Sequence, residues 1–204
     1  MITIEKANYQ DVNRIVAVHL DAFKDFFLSS LGERFLRLYY RSFIDSKQGI
    51  VLCAKDDNKV VGFSACSYVC NGFNTSLVKD NLLKYMVESV VLLFTKPLAL
   101  IRLAKNMTKE SPEAQQFAGG GYAELYSIAV SPSCQGKGIG KALLSAIEDD
   151  VRNHNNQISL TTDYNNNEKT IGFYHTSGYE DLYEFISYPN RKMWRMIKTL
   201  DKVE

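Results

Sequence analysis

Glu124-Leu-Tyr-Ser-Ile-Ala-Val130, Ser131-Pro-Ser-Cys-Gln-Gly-Lys-Gly-Ile-Gly140 and Lys141-Ala-Leu-Leu-Ser-Ala-Ile147 follow one another past the middle of the chain. They read as a strand, a glycine-rich turn and a helix. The strand runs over 122–130, with Gly119-Gly120-Gly121 before it and Ser131-Pro132 after it. The helix begins near Gly138. Leu143, Leu144, Ile147 and Val151 share one face, while Lys141, Ser145, Glu148 and Arg152 fall on others. Between strand and helix, Gln135-Gly136-Lys137-Gly138-Ile139-Gly140-Lys141 alternates glycine with larger residues. Glycines let a backbone approach a ligand without Cβ clashes. The first N–H groups of a helix lack internal acceptors, and the helix dipole there favours negative charge. Two lysines add to the field. This chemistry suits an anion, a diphosphate above all, held by main-chain donors.

Two nucleotide-binding loops are poor matches. A P-loop needs a glycine five residues before Gly140 and Ser or Thr after Lys141, but Gln135 and Ala142 stand there. In the dinucleotide fingerprint the third glycine would fall at Lys141. The run instead resembles the Gln/Arg-x-x-Gly-x-Gly/Ala signature of the GNAT N-acetyltransferases, with Gln135, Gly138 and Gly140 at its fixed positions. A second stretch agrees. Asn167-Glu-Lys-Thr-Ile-Gly-Phe173-Tyr174-His-Thr-Ser-Gly178-Tyr179 is similar to the family's Asn-x-x-Ala-x-x-Phe-Tyr-x-x-x-Gly-Phe, with Thr170 for alanine and Tyr179 for phenylalanine. Gly172 lowers helix propensity, so this helix is expected to be short, and Gly178 is the expected left-handed stop.

The rest of the chain follows the same order. Ile2, Ile4 and Lys6 open a short strand. Asp11 is placed to cap a helix with Val12, Ile15, Val16 and Leu20 as its stripe, and His19 beside that stripe reads as structural. Gly32 precedes a second helix over 33–44, with Phe35, Leu36, Tyr39, Tyr40 and Phe43 on one face. Apolar runs at 49–55 and 59–68, joined by Asp56-Asp57-Asn58, read as a hairpin. After the central helix, residues 157–162 read as a strand, and 183–188 with 193–197 as a closing pair around Pro189-Asn190-Arg191.

The resemblance implies one α/β (α+β) GNAT domain over 1–204. Its mixed sheet of about seven strands would splay between the fourth and fifth and be flanked by helices. Residues 71–118 depart from the minimal fold as an inserted helical segment between strands three and four. Leu77 to Phe94 suggests one helix and 98–107 a second after Pro97, while Ser111-Pro112-Glu113 reads as a loop. The helices are expected to wall the acceptor pocket or form a subunit contact, such as a homodimer. Lys96, Arg102, Lys105 and Lys109 cluster with apolar residues, a pattern shared by membrane-surface helices and ordinary amphipathic ones.

The resemblance also implies a function and a site. The chain would move the acetyl group of acetyl-CoA to a primary amine by direct transfer, with acetyl-CoA as co-substrate and no metal. The pyrophosphate would lie on Gln135, Gly136, Lys137, Gly138, Ile139, Gly140 and Lys141. The pantetheine arm would pair with Ile128, Ala129 and Val130, with Val130 N–H facing the thioester oxygen. Asn167 would bond that arm or support its loop, and Phe173 and Tyr174 would lie near the sulfur. Glu124, six residues before Val130, is the candidate base, and Tyr174 the candidate acid. A carboxylate beside an apolar cleft suits the base role. His175 would face away from Tyr174, and Cys134 sits at the phosphate end, too far from the acetyl group to be a nucleophile. An alternative is an acyl-CoA-binding sensor or scaffold without turnover.

Composition sets outer limits. With 46% hydrophobic and 23% charged residues the chain reads as a soluble globular protein. A net charge of +1 excludes a bulk electrostatic case for nucleic acid, and on the same ground membrane contact is not expected. The acceptor classes left open are small-molecule amines, amino sugars and protein N-termini. Met1-Ile-Thr-Ile-Glu-Lys gives no signal peptide, and Cys53, Cys66, Cys70 and Cys134 lack zinc-site spacing, so free thiols and a cytoplasmic setting are expected.

Overall fold

In the computed structural model, which describes residues 1–24, 26–108 and 121–201, seven strands form one sheet. They are β1 (Ile2–Lys6), β2 (Gly49–Asp56), β3 (Lys59–Ser67), β4 (Ala123–Val130), β5 (Gln157–Asp163), β6 (Glu180–Ser187) and β7 (Arg191–Thr199). Their order across the sheet is β1-β2-β3-β4-β5-β7-β6. All neighbours are antiparallel except β4 and β5. The β2–β3 hairpin turns on Asp57 and Asn58, at φ 45° and 64°. Positive φ at both central residues is the hairpin turn whose twist matches that of the strands.

Both faces of the sheet are covered. On one side lie α1 (Val12–Ala22), α2 (Phe27–Leu31) and α3 (Glu33–Asp45), packed on Val51, Cys53, Phe63 and Ala65. On the other lies α7 (Ile139–Val151), packed on Ile50, Leu52, Ala54 and Leu125. Adjacent residues of β2 therefore serve opposite cores, as a pleated strand with period two requires. The apolar faces read from the sequence are those that are buried: Leu143, Leu144, Ile147 and Val151, and Phe35, Leu36, Tyr39, Tyr40 and Phe43. The short helix of the second motif, α8 (Glu168–Thr176), is followed by Gly178 at φ 87°.

Several expectations are corrected. Asp11 does not cap α1 with its side chain. Its carboxylate accepts from Asn8 N–H and pairs with Lys55 Nζ at 2.8 Å, because a buried acid needs a charged partner more than a helix end needs a cap. Glu148, which falls off the apolar stripe of α7 in the sequence, is not turned to solvent. It is buried, and Lys198 of β7 reaches it at 2.6 Å. The one-turn α2 was not foreseen. Among the described residues the inserted segment forms three helices, α4 (Phe73–Asp80), α5 (Leu82–Thr95) and α6 (Pro97–Thr108), where two were expected. The extra break falls at Asn81, whose backbone leaves the helical region and whose amide donates to Leu77 O; asparagine offers such local alternatives to the helix bond. Lys109 and the loop at Ser111-Pro112-Glu113 lie outside the described residues.

Candidate active site

β4 and β5 pair only where Ala123–Leu125 meets Ile158–Leu160. Beyond that point β4 stays with β3 and β5 stays with β7, and the sheet splits. A bulge in β4 coincides with the split. Ala65 pairs with Ser127 and Cys66 with Leu125, so Tyr126 has no opposite residue. An extra residue shifts the alternation of a strand. Ala123 and Leu125 pack on the α7 side, but farther along it is Ile128 and Val130 that do so, and Ala129 turns to the α1–α3 side. Ser131 N–H donates to Val61 O at 2.8 Å. The main-chain N–H and C=O of Val130 therefore point away from β3 and into the split. Gln135 Nε2 reaches the Val130 carbonyl at 3.4 Å.

The glycine turn closes the same end. Gly136 and Gly138 sit at φ 78° and 76°, and a Cβ added to either would meet no atom within 4 Å. Open space thus lies in front of a backbone that only glycine adopts easily. Among the described residues no acceptor meets the main-chain N–H groups of Gly136, Lys137 and Gly138. Those of Ile139, Gly140 and Lys141 begin α7, where no intrahelical acceptor exists. Lys137 and Lys141 form no ion pair among the described residues. Gly140 abuts both walls, since its Cβ would lie 3.9 Å from Val130 Cγ2 and 4.0 Å from Phe173 Cζ. A row of unmet donors with open space before it fits a pyrophosphate.

Tyr174 is buried on the α7 side of the sheet, edge-on to Phe173 and Tyr179. Its hydroxyl makes no hydrogen bond among the described residues, and burial raises its pKa well above the ordinary phenol value. The group stays protonated near neutrality and has a proton to give. Asn167 uses its amide on Thr162 Oγ1 at 2.7 Å and Asp163 O at 3.0 Å. It therefore ties the start of α8 to the end of β5. His175 is exposed and meets Asp181 at 3.0 Å, away from the buried Tyr174 ring.

Glu124 lies where the split begins, opposite Ser159 on β5 and Ser67 on β3. It alternates with Ala123 and Leu125 and so faces the α1–α3 side, among Tyr39, Tyr122 and Tyr126. Burial pushes the phenols of all three upward, and the charge of Glu124 adds to this. Glu124 and Tyr174 thus stand on opposite faces of the sheet, with the split between them. The expected carboxylate in an apolar cleft is instead an ion-paired one: Arg195 Nη1 on β7 donates to it at 2.7 Å. Arg195 also approaches Ser159 Oγ at 3.4 Å. This arginine was missed from sequence. The signal was a cation inside the apolar run Met193-Trp-Arg-Met-Ile197.

Solved structures share this architecture. The structure of PH1933 from Pyrococcus horikoshii is 19% identical, with 98% of this chain and 99% of that one covered, at a TM-score of 0.63. The ribosomal-protein-S18-alanine N-acetyltransferase of Escherichia coli is 14% identical over 100% and 97%, at 0.60. The PaiA N-acetyltransferase of Thermoplasma acidophilum, solved with coenzyme A, is 15% identical over 98% and 99%, at 0.56. Among curated protein sequences nothing matches. The sequence model of the acetyltransferase (GNAT) family matches residues 18–179, which include the split strands, the glycine turn and α8. The chain is a member of the GNAT acetyltransferase family.

Proposed function

We propose that the protein transfers the acetyl group of acetyl-CoA directly to a primary amine, with Glu124 as base and Tyr174 as acid. The carrying observation is the split itself. It turns Val130 N–H and C=O into an open gap beside six main-chain donors at the glycine turn. Acetyl-CoA supplies an activated thioester and a pyrophosphate handle. The turn from Gln135 to Lys141 holds the handle. Ile128, Ala129 and Val130 offer the strand edge to the pantetheine arm, and Asn167 keeps the facing edge of β5 in place. Phe173 fills the corner between turn and strand. Val130 N–H donates to the thioester oxygen, where negative charge develops.

The amine nitrogen forms a bond to the acetyl carbon as the carbon–sulfur bond breaks. Glu124 accepts the amine proton, directly or through water, from the α1–α3 side. Tyr174 donates its proton to the departing sulfur from the α7 side. Approach from opposite faces keeps acceptor and donor from competing for one space. The acceptor is a small-molecule amine, an amino sugar or a protein N-terminus, in a cytoplasmic setting.

The engagement of Glu124 by Arg195 favours a second reading, acyl-CoA binding without turnover. A panel of amines assayed for thiol release from acetyl-CoA separates the two. Release that depends on one amine class supports transfer. Binding of coenzyme A with no release across the panel supports the sensor. Calorimetry with Gly138→Asp tests the binding site that both share. The new carboxylate enters the open space at the turn and should abolish coenzyme A binding with the fold intact. Unchanged affinity would rule this site out.

A further inference from the structure

Of the fourteen large apolar residues left substantially exposed among the described residues, nine lie on α5 and α6. α5 turns Tyr85, Glu88 and Leu92 toward the protein. Its opposite side carries Leu83, Met86, Val90, Leu93 and Phe94, which are 54% to 82% exposed. Their spacing puts them on one helical face. Leu98 and Ile101 continue this surface onto α6, past the corner at Lys96-Pro97. A helix apolar on all sides is ordinarily buried, and a soluble monomer rarely shows a contiguous apolar patch larger than a few hundred Å². This face is built to be covered.

The charges around it indicate by what. Residues 81–108 carry four cations, Lys84, Lys96, Arg102 and Lys105, and one acid, Glu88. Lys96 donates to Ser30 O at 2.8 Å, and Arg102 and Lys105 lie over the rings of Phe27 and Tyr188, so Lys84 is the one at the flank of the face. Glu88 is turned inward and paired with Arg34 of α3, so no acid stands on the outer side of α5 or α6. At the flank of α5 a cavity of about 400 Å³ is lined by four cations, Arg34, Arg37, Arg41 and Lys84, and one acid, Glu88, which Arg34 neutralises, together with Leu38 and Val87. Arg37 is paired with Glu33. Arg41 and Lys84 form no ion pair among the described residues. An isologous contact with a second copy would bring together two patches that both carry these unpaired cations and no outward acid. An anionic bilayer surface meets both features, since apolar side chains enter the headgroup–acyl boundary while cations meet phosphates.

We propose that the α5–α6 face docks on a membrane surface containing anionic phospholipid. Leu83, Val90, Phe94 and Leu98 enter the boundary, and the cavity beside Arg41 and Lys84 receives headgroup phosphate. Among the described residues no helix is long and apolar enough to cross a membrane, so the contact lies in the plane of the interface. Such docking differs from the expectation of no membrane contact. That expectation rested on the whole-chain charge of +1, in which acids elsewhere mask a local excess of cations.

Co-sedimentation of the full chain with phosphatidylcholine vesicles, with and without phosphatidylglycerol, tests the proposal. Binding should be about tenfold or more tighter with phosphatidylglycerol and should weaken as salt is raised. Leu83→Glu with Phe94→Glu should abolish binding to both. Arg41→Glu with Lys84→Glu should remove the preference for phosphatidylglycerol. All four side chains lie away from the split, so coenzyme A affinity should be unchanged and serves as the control for folding. Absence of binding to either vesicle overturns the proposal, as does equal binding to both. A concentration-dependent dimer that Leu83→Glu with Phe94→Glu converts to monomer would assign the face to a second copy instead.

Discussion

Arg195 Nη1 donates to Glu124 Oε1 at 2.7 Å, tying β7 to β4 across β5 at the point where the sheet begins to split. Both side chains are largely buried, at 13% and 16% exposure. The pair holds the Glu124 carboxylate at the base of the gap in a fixed position, and it does so with a residue from the last strand of the fold. Removing one partner leaves the other charged and poorly solvated.

Arg195→Leu should therefore lower stability by about 3 kcal/mol, the scale for breaking a buried pair. Glu124→Leu should cost a similar amount. The double variant should recover much of the loss, because no uncompensated charge remains. Urea denaturation of the four proteins measures this cycle. Strictly additive losses would show that the two charges do not depend on each other. Burial opposes the charge on Arg195, but Glu124 outweighs it and holds the guanidinium pKa above its ordinary value. The pair therefore should not be lost through arginine deprotonation at any pH used for assay.

Tyr174→Phe keeps the ring that packs on Phe173 and Tyr179 and removes the hydroxyl. Turnover should fall by about ten- to a thousandfold with little change in coenzyme A affinity. Because burial holds this phenol protonated to high pH, the loss should be similar at every assay pH and the basic limb of the pH–rate profile should stay where it is. Glu124→Gln should flatten the acidic limb instead. Full activity in both variants would remove these residues from the mechanism.

Gly138→Ala isolates the backbone requirement of the turn. The added Cβ meets nothing within 4 Å, so crowding is not the cost. The φ of 76° is, at about 1–2 kcal/mol. Thermal unfolding should show this loss. A larger one would mean that the turn contacts its surroundings more closely than the structure shows.

His19 should make stability depend on pH. Its ring is 2% exposed, shares a 2.7 Å hydrogen bond with Tyr40 and stacks near Phe63. Burial lowers its pKa from 6.5 to about 4. The unfolded chain thus binds the proton more readily. The stabilisation is full above pH 6.5 and is lost as pH falls from there toward 4. A shift of this size corresponds to about 3 kcal/mol. Urea denaturation from pH 8 to pH 4.5 should show the decline, and His19→Gln should flatten that part of it. An identical slope in the variant would assign the decline to other groups.

Much of this was legible in the chain. Periodicity identified the buried faces of α1, α3 and α7, because helix and strand spacing depend only on local geometry. The alternating glycines at 136, 138 and 140 and the Asn167–Tyr179 stretch resembled the family to which the chain belongs, because a turn that must bare its backbone can use few residues.

Tertiary structure decided the rest. Tyr126 looks like one more residue of an alternating strand, yet it is the bulge at which β4 changes faces, because register depends on the partner strand β3. Glu124 reads as the candidate base with no partner in view; only folding brings Arg195 across from 71 residues away. Glu148 lies off the apolar stripe in the sequence and is buried because β7 delivers Lys198 to it. The face of α5 that carries Leu83, Val90 and Phe94 is as apolar as the one beneath it. Hydrophobicity could not say which side packs inward; the inward pairing of Glu88 with Arg34 does. In each case the local pattern is a property of neighbours in sequence, whereas the outcome depends on a group that only the folded chain brings near.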